Sequence, residues 1–197
     1  MSELDETISE SIENAGDSKL NSKIAIFVAI TATFMAICNI KGGNIVQNMS
    51  KAQSKAVNNW AYFQSKSTKQ NITENSIDIL SAQLKVTTAN KDKVDLEAKI
   101  TKLKEKVERY ENEKNEIKAA AEKEEKSYDD MNVFDDQFDM TEAILSISIA
   151  MFGLSALTQK KPLFYFALLL SISGFILGFS AFLKISYHSE FISNILG

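Results

Sequence analysis

The sequence predicts an all-α membrane protein: three transmembrane helices, with a long antiparallel coiled-coil hairpin between the first and the second. Three observations carry this. Three apolar stretches are nearly free of ionisable groups. Most of the 22 basic and 26 acidic residues are gathered in residues 41–142. That charged region has no proline, and from Leu96 to Tyr110 it places an apolar residue every three or four positions.

The first element, residues 1–23, is an acidic N-terminal segment. Glu3, Asp5, Glu6, Glu10, Glu13 and Asp17 precede the first base, Lys19. A secretory signal needs a basic start, so the apolar stretch that follows is expected to be a retained anchor. Crossing a ~30 Å hydrocarbon core takes roughly 20 helical residues. Residues 24–40 (IAIFVAITATFMAICNI) and 143–158 (AILSISIAMFGLSALT) are at the short end, and 163–183 (LFYFALLLSISGFILGFSAFL) is long enough without qualification. The rest of the chain offers no apolar surface large enough to cover helices that are apolar on every face, which argues against burial in a soluble core.

Each span carries small residues at alternating three- and four-residue spacing. The first has Ala25, Ala29, Ala32, Ala36 and Asn39; the second Ala143, Ser146, Ala150, Gly153 and Ala156; the third Ala167, Ser171, Gly174, Gly178 and Ala181. In lipid, helices associate through close backbone approach at such residues. Tight packing within the chain, between chains, or both is expected; the chain is read as a homo-oligomer, with Gly174 and Gly178 of the third span as candidate interaction residues.

Residues 41–142 must leave the membrane and return, so they are expected to fold as a hairpin turning near 87–92. Leu84, Leu80, Ile77, Thr73, Gln70, Lys66, Phe63, Asn59, Ala56, Ala52 and Met49 form one heptad series. Leu96, Ile100, Leu103, Val107, Tyr110, Lys114, Ile117 and Ala121 form the other, with Lys114 breaking the apolar pattern. Folding at Asn90 lays Leu84 on Leu96, Leu80 on Ile100, Ile77 on Leu103 and Phe63 on Ile117. Each arm would reach about 70 Å. Lysines of the first arm (Lys41, Lys51, Lys55, Lys66, Lys69) are expected to face the acids of the returning arm (Asp129, Asp130, Asp135, Asp136, Asp139, Glu142). Residues 184–197 form a C-terminal tail.

Orientation follows from basic flanks. Lys160 and Lys161, between the last two spans, are expected on the cytoplasmic side, which puts the N-terminus inside and the hairpin and C-terminus outside.

The net charge of −4 argues against nucleic-acid binding. The single cysteine, Cys38, excludes an intrachain disulfide and a cysteine zinc site, and His188 has no second ligand nearby. No catalytic triad, phosphate loop or dinucleotide motif is present, so neither catalysis nor a cofactor is expected. One stretch stands apart: Asn58 to Gln70 (NNWAYFQSKSTKQ) holds the only tryptophan. Trp60 would stand about 28 Å beyond the membrane end of its helix, too far for an interfacial aromatic belt. Trp60, Tyr62, Phe63, Gln64 and Lys66 are therefore candidate interaction residues for a protein partner at the stalk, with hairpin packing as the competing role.

WAYFQSKSTKQN resembles the tryptophan–aromatic–glutamine–lysine motif of the bacterial family called domain of unknown function 4337. The likeness continues through Phe138-Asp139-Met140-Thr141-Glu142-Ala143 and in the order anchor, charged helical segment, two close spans. That family often has a histidine before the Phe-Asp pair; here Asp136 and Gln137 stand there, which removes a metal role. The resemblance implies a bacterial inner-membrane protein without an established activity. The expected function is a non-enzymatic membrane scaffold or interaction protein. An oligomeric channel or transport component is the alternative, lined by Thr31, Thr33 and Asn39; its partners would be the bilayer and further copies of the chain.

Overall fold

The computed structural model describes the backbone of residues 3–185 and the side chains of residues 19–185. The C-terminal tail beyond residue 185, with His188, and the acidic side chains before Lys19 lie outside the described residues. The described backbone is all helical, without a strand: α1 is Glu3–Val86, α2 is Asn90–Thr158 and α3 is Lys161–Phe182. Each contains a stretch long and apolar enough to cross a membrane.

The two long helices do not pause where the chain changes from apolar to charged. α1 runs through Ile40-Lys41 and through Gly42-Gly43, and α2 runs through Glu142-Ala143. The sequence places element boundaries at both points. A helical ladder of i→i+4 hydrogen bonds is indifferent to whether its side chains are charged or apolar. Two interior glycines cost about 1 kcal/mol each, too little to break a helix of 84 residues held by packing.

The chain divides instead into two compact units, one of residues 1–47 with 130–197 and one of residues 48–129. The first is a three-helix core built from the start of α1, the end of α2 and α3. It holds two apolar clusters, one around Phe34, Cys38, Phe138, Leu145 and Ala181, and one around Ile24, Phe152, Phe164 and Ala167. Phe138 and Ile45 belong to the former although they stand beyond the apolar stretches, which is why this unit extends past them.

α2 and α3 meet at a turn in which Gln159 takes a left-handed conformation, φ 55°. That conformation is unfavourable for a residue with a Cβ. It is held by the Gln159 amide, which donates to the Ala156 carbonyl at 2.6 Å and to Asn21 Oδ1 at 3.1 Å. Pro162 fits the first turn of α3, where no backbone donor is needed. α3 ends with Lys184 left-handed (φ 57°), Ile185 N–H bonded to the Ser180 carbonyl and Lys184 N–H to that of Ala181, the pattern of a Schellman cap.

The second unit comprises residues 48–129 of α1 and α2, joined by the short link 87–89. Met49, Ala52, Ala56, Leu96, Ile100 and Ala121 are its buried residues, and every other member of the two heptad series is half-buried. Ile72, Ile79, Val86 and Val94, out of phase with those series, are exposed.

Candidate functional site

In the three-helix core the spans pack through α3. Its buried residues are Phe164, Ala167, Ser171, Gly174, Gly178, Ser180 and Ala181, so the whole small-residue stripe faces inward. A Cβ on Gly174 would stand 2.5 Å from Leu145 Cδ2, and one on Gly178 2.8 Å from Phe34 Cε1 and 3.0 Å from Thr141 Cγ2. Both glycines are thus occupied within one chain. Of the packing expected of this stripe, within the chain or between chains, the former is the one seen at these two glycines.

The other two stripes point the opposite way. Ala25, Ala29, Ala36 and Asn39 of α1 are exposed, as are Ala143, Ser146, Ala150 and Gly153 of α2; Ala32 and Ala156 are half-buried. Bulky residues take the inward positions instead: Phe27, Phe34, Leu145 and Phe152. Phe34 lies 4.5 Å from Phe175 and 5.0 Å from Phe179 between ring centres. Small residues on α3 leave room for these rings, which is the packing reason for the asymmetry.

Several polar groups inside this core are matched within the chain, while Asp135 Oδ1, Gln137 Oε1 and Gln159 Oε1 are buried without a hydrogen-bond partner. Thr31 and Ser171 share a 2.9 Å hydrogen bond, and Ser148 donates to the Ala167 carbonyl at 2.8 Å. Buried Gln137 donates to Ser180 Oγ at 2.6 Å. Thr33 is exposed and donates to its own helix at Ala29, while Asn39 donates to Glu142 at 3.2 Å. Thr31, Thr33 and Asn39 therefore line no common axis within the chain.

Around Asn39 a cleft of about 200 Å³ is lined by Cys38, Gly42, Asp135, Phe138, Asp139 and Glu142. Burial lifts the Asp135 carboxyl above the usual aspartate range, and the charges of Asp139 and Asp136 lift it further. Asp139 is raised likewise by burial, then by Glu142 and Asp136. The expected pairing of these acids with the first-arm lysines is not found: among the described residues none of Asp135, Asp136, Asp139 and Glu142 forms an ion pair, and Lys55 meets Glu124 at 3.4 Å instead. Lys66 likewise meets Glu113, so the first-arm lysines that pair across do so with acids nearer the link than those expected.

The tryptophan stretch lies in the other unit. Trp60 Nε1 donates to Glu125 at 2.7 Å, and its ring meets Phe63 edge-on at 5.6 Å. Lys66 binds Glu113 and lies 5.4 Å from the Tyr110 ring centre. Lys114, which breaks the heptad pattern, donates to Gln70 Oε1 at 2.9 Å and lies 5.7 Å from the Phe63 ring centre. The hydrogen bond from Lys66, aided by the charges of Lys66, Arg109 and Lys69, holds Glu113 below the usual carboxylate range. Glu111 is lowered by the hydrogen bond from Lys114 first and by Gln70 next. Phe63 and Lys66 are thus engaged across the helix pair, Tyr62 and Gln64 are exposed, and Trp60 is half-buried.

A family model described as a domain of unknown function (DUF4337) matches residues 20–184. The chain belongs to this family. No curated protein and no solved structure matches it. The match takes in α3 and nearly all of α1 and α2, so both the three-helix core and the tryptophan stretch lie within the family's domain. Among the described residues no group of three or more His, Cys, Asp or Glu could hold a metal ion. The thiol of Cys38 is buried. Trp60, Glu125, Tyr128 and Asp129 come from two helices, and their grouping depends on the phase of one helix against the other; sequence spacing on either helix carries no signal for it.

Proposed function

We propose that this protein is a non-enzymatic, multi-pass membrane scaffold that self-associates and presents a helical stalk to a protein partner. The observation that carries the reading is the outward placement of two small-residue stripes, Ala25 to Ala36 on α1 and Ala143 to Gly153 on α2. Exposed Ile26, Ile30, Ile37, Ile147 and Leu154 flank them. Lipid contacts satisfy large side chains as well as small ones, so helices gain from association where backbones approach closely. With α3's stripe used inside the chain, these two faces are where a second copy packs.

In this reading α1 and α2 form an antiparallel coiled-coil stalk. Its support is the order of contacts, Lys55 with Glu124, Lys66 with Glu113 and Gln70 with Lys114: position rises along one helix as it falls along the other. The setting is the bacterial inner membrane, with the N-terminus inside and the stalk periplasmic. Gln159 bonds Asn21, so Lys19, Lys23, Lys160 and Lys161 gather at one end of the core, the end the positive-inside tendency assigns to the cytoplasm. A channel is disfavoured because Thr31 is paired with Ser171 inside the chain.

Mass measurement of the full chain in a mild detergent tests the proposal. A multiple of 21.9 kDa is expected. A monomer at every protein concentration that preserves helicity overturns it.

A further inference from the structure

Beside Trp60 is a groove of about 270 Å³, with buried Ala56 as its apolar floor and Gln53, Val57, Trp60, Tyr128, Glu125 and Asp129 around it. Ala56 is nearly fully buried, as are Ala52 and Ala121, and alanines at these positions leave space that larger side chains would fill. Two aromatic rings and two carboxylates thus converge on one opening. Glu125 is tethered by the indole N–H at 2.7 Å, which fixes both the carboxylate and the ring. Among the described residues no base pairs with Glu125 or Asp129, while the nearby Lys55 is engaged by Glu124.

We propose that this groove binds an alkylammonium group. Aromatic faces carry negative potential and attract a cation whose charge is spread over methyl or methylene groups, and carboxylates add attraction at the rim. The apolar floor suits the alkyl part. An anion would meet two carboxylates, with only the neutral Gln53 amide, the Tyr128 hydroxyl and an indole already in use as donors. The volume is below the ~300–1,000 Å³ of sites that enclose whole small molecules, so the groove takes a terminal group rather than a complete ligand. The group can be a free quaternary amine or a lysine side chain of a partner. The inference deepens the stalk-as-interaction-surface reading by naming what the Trp60 surface recognises. Its test reads one chain at a time, so it fails or succeeds independently of self-association.

Trp60 is the only tryptophan of the chain, so its fluorescence reports on this groove alone. The full chain in maltoside detergent is titrated with tetramethylammonium chloride, with Nα-acetyl-lysine methylamide, and with sodium chloride at matched ionic strength. The uncharged isostere of choline, 3,3-dimethyl-1-butanol, is the fourth titrant. A saturable change is expected with one or both cations and absent with sodium chloride; which cation saturates at lower concentration distinguishes the free amine from the lysine source. The isostere is expected to bind at least about fivefold more weakly. Glu125→Gln keeps an oxygen for the indole N–H while removing the charge, and together with Asp129→Asn it is expected to weaken binding by about fivefold or more. Tyr128→Phe keeps the ring and is expected to bind as the parent, whereas Tyr128→Leu loses binding. If the Glu125 variant loses helicity, Asp129→Asn alone decides, with the same direction expected. No saturable change with either cation, equal binding of the isostere, or carboxylate and Tyr128→Leu variants that bind as the parent would each overturn the proposal.

Discussion

The ammonium group of Lys114 donates a 2.9 Å hydrogen bond to Gln70 Oε1, 44 positions earlier in the chain. Lys114 is the polar interruption in an otherwise apolar series, yet its side chain is only 14% exposed and also pairs with Glu111 at 3.0 Å. A buried ammonium is tolerated where it is matched by polar partners, and its methylene stem adds apolar contact. Lys114→Met keeps the stem and removes the charge, so stability is expected to stay within about 1 kcal/mol, because the Glu111 carboxylate it releases is half in water. Lys114→Glu adds a third carboxylate beside Glu111 and Glu113 and is expected to cost about 1–3 kcal/mol. Thermal unfolding followed by circular dichroism separates the two. Equal losses would mean that length alone matters at this position.

Gly178 is expected to be less tolerant than Gly174, although its predicted Cβ contact is the longer of the two. At Gly174 the obstacle is the aliphatic chain of buried Leu145, with Cδ2 at 2.5 Å and Cγ at 2.9 Å, and Ile144 Cγ2 at 3.3 Å; at Gly178 it is the rigid Phe34 ring, held among Phe175, Phe179 and Phe182, together with Thr141. Overpacking a confined site costs about 1–3 kcal/mol. Gly178→Ala should lower the unfolding midpoint in detergent clearly more than Gly174→Ala, and neither should change the oligomer mass. A mass change without a stability change would return these glycines to an interface between chains.

The three apolar helices and the residues of the second unit withdrawn from solvent were legible from the sequence because each is a periodic or compositional property of one helix. Met49 through Leu84 and Leu96 through Ala121 repeat at heptad spacing, and that spacing alone decides which side of a helix they share. The facing of the membrane stripes was not legible. Inside a bilayer both the lipid side and the protein side are apolar, so hydrophobicity does not distinguish them. The direction was set by fit: Phe27, Phe34 and Phe152 need space that the small residues of α3 leave. The Trp60–Glu125 contact was illegible for a related reason, since it depends on the phase of α1 against α2. The change from apolar to charged residues after Ile40 marks a change of solvent and carries no message for the backbone, so α1 runs through it.

The acid cluster makes a pH prediction. Asp135 and Asp139 bind protons more tightly folded than unfolded, since their folded values are raised. Between the ordinary aspartate value and the raised one, the folded state holds more protons, so stability falls as pH rises through that window. The full penalty persists above the raised value and vanishes below the unfolded one. Asp135→Asn is expected to stabilise the protein at neutral pH and to flatten the dependence, read as unfolding midpoint against pH. A midpoint that rises with pH across the same window would contradict the cluster's role.

Orientation is tested with single cysteines in a Cys38→Ala background. Asn90→Cys should react with a membrane-impermeant maleimide in intact cells, and Lys160→Cys only after permeabilisation. The reverse pattern would invert the topology while leaving the packing unchanged.

Association through the outward faces of α1 and α2 is the central claim, and cysteine crosslinking in native membranes tests it most directly. In the Cys38→Ala background, Ala29→Cys and Ala150→Cys lie on the small-residue faces, while Ile172→Cys lies on the bulky outer face of α3 and is 51% exposed in the parent. Oxidation should give a species of twice the chain mass from Ala29→Cys, Ala150→Cys or both, and only monomer from Ile172→Cys. Crosslinking at Ile172 alone, or monomer at all three positions, would contradict the account.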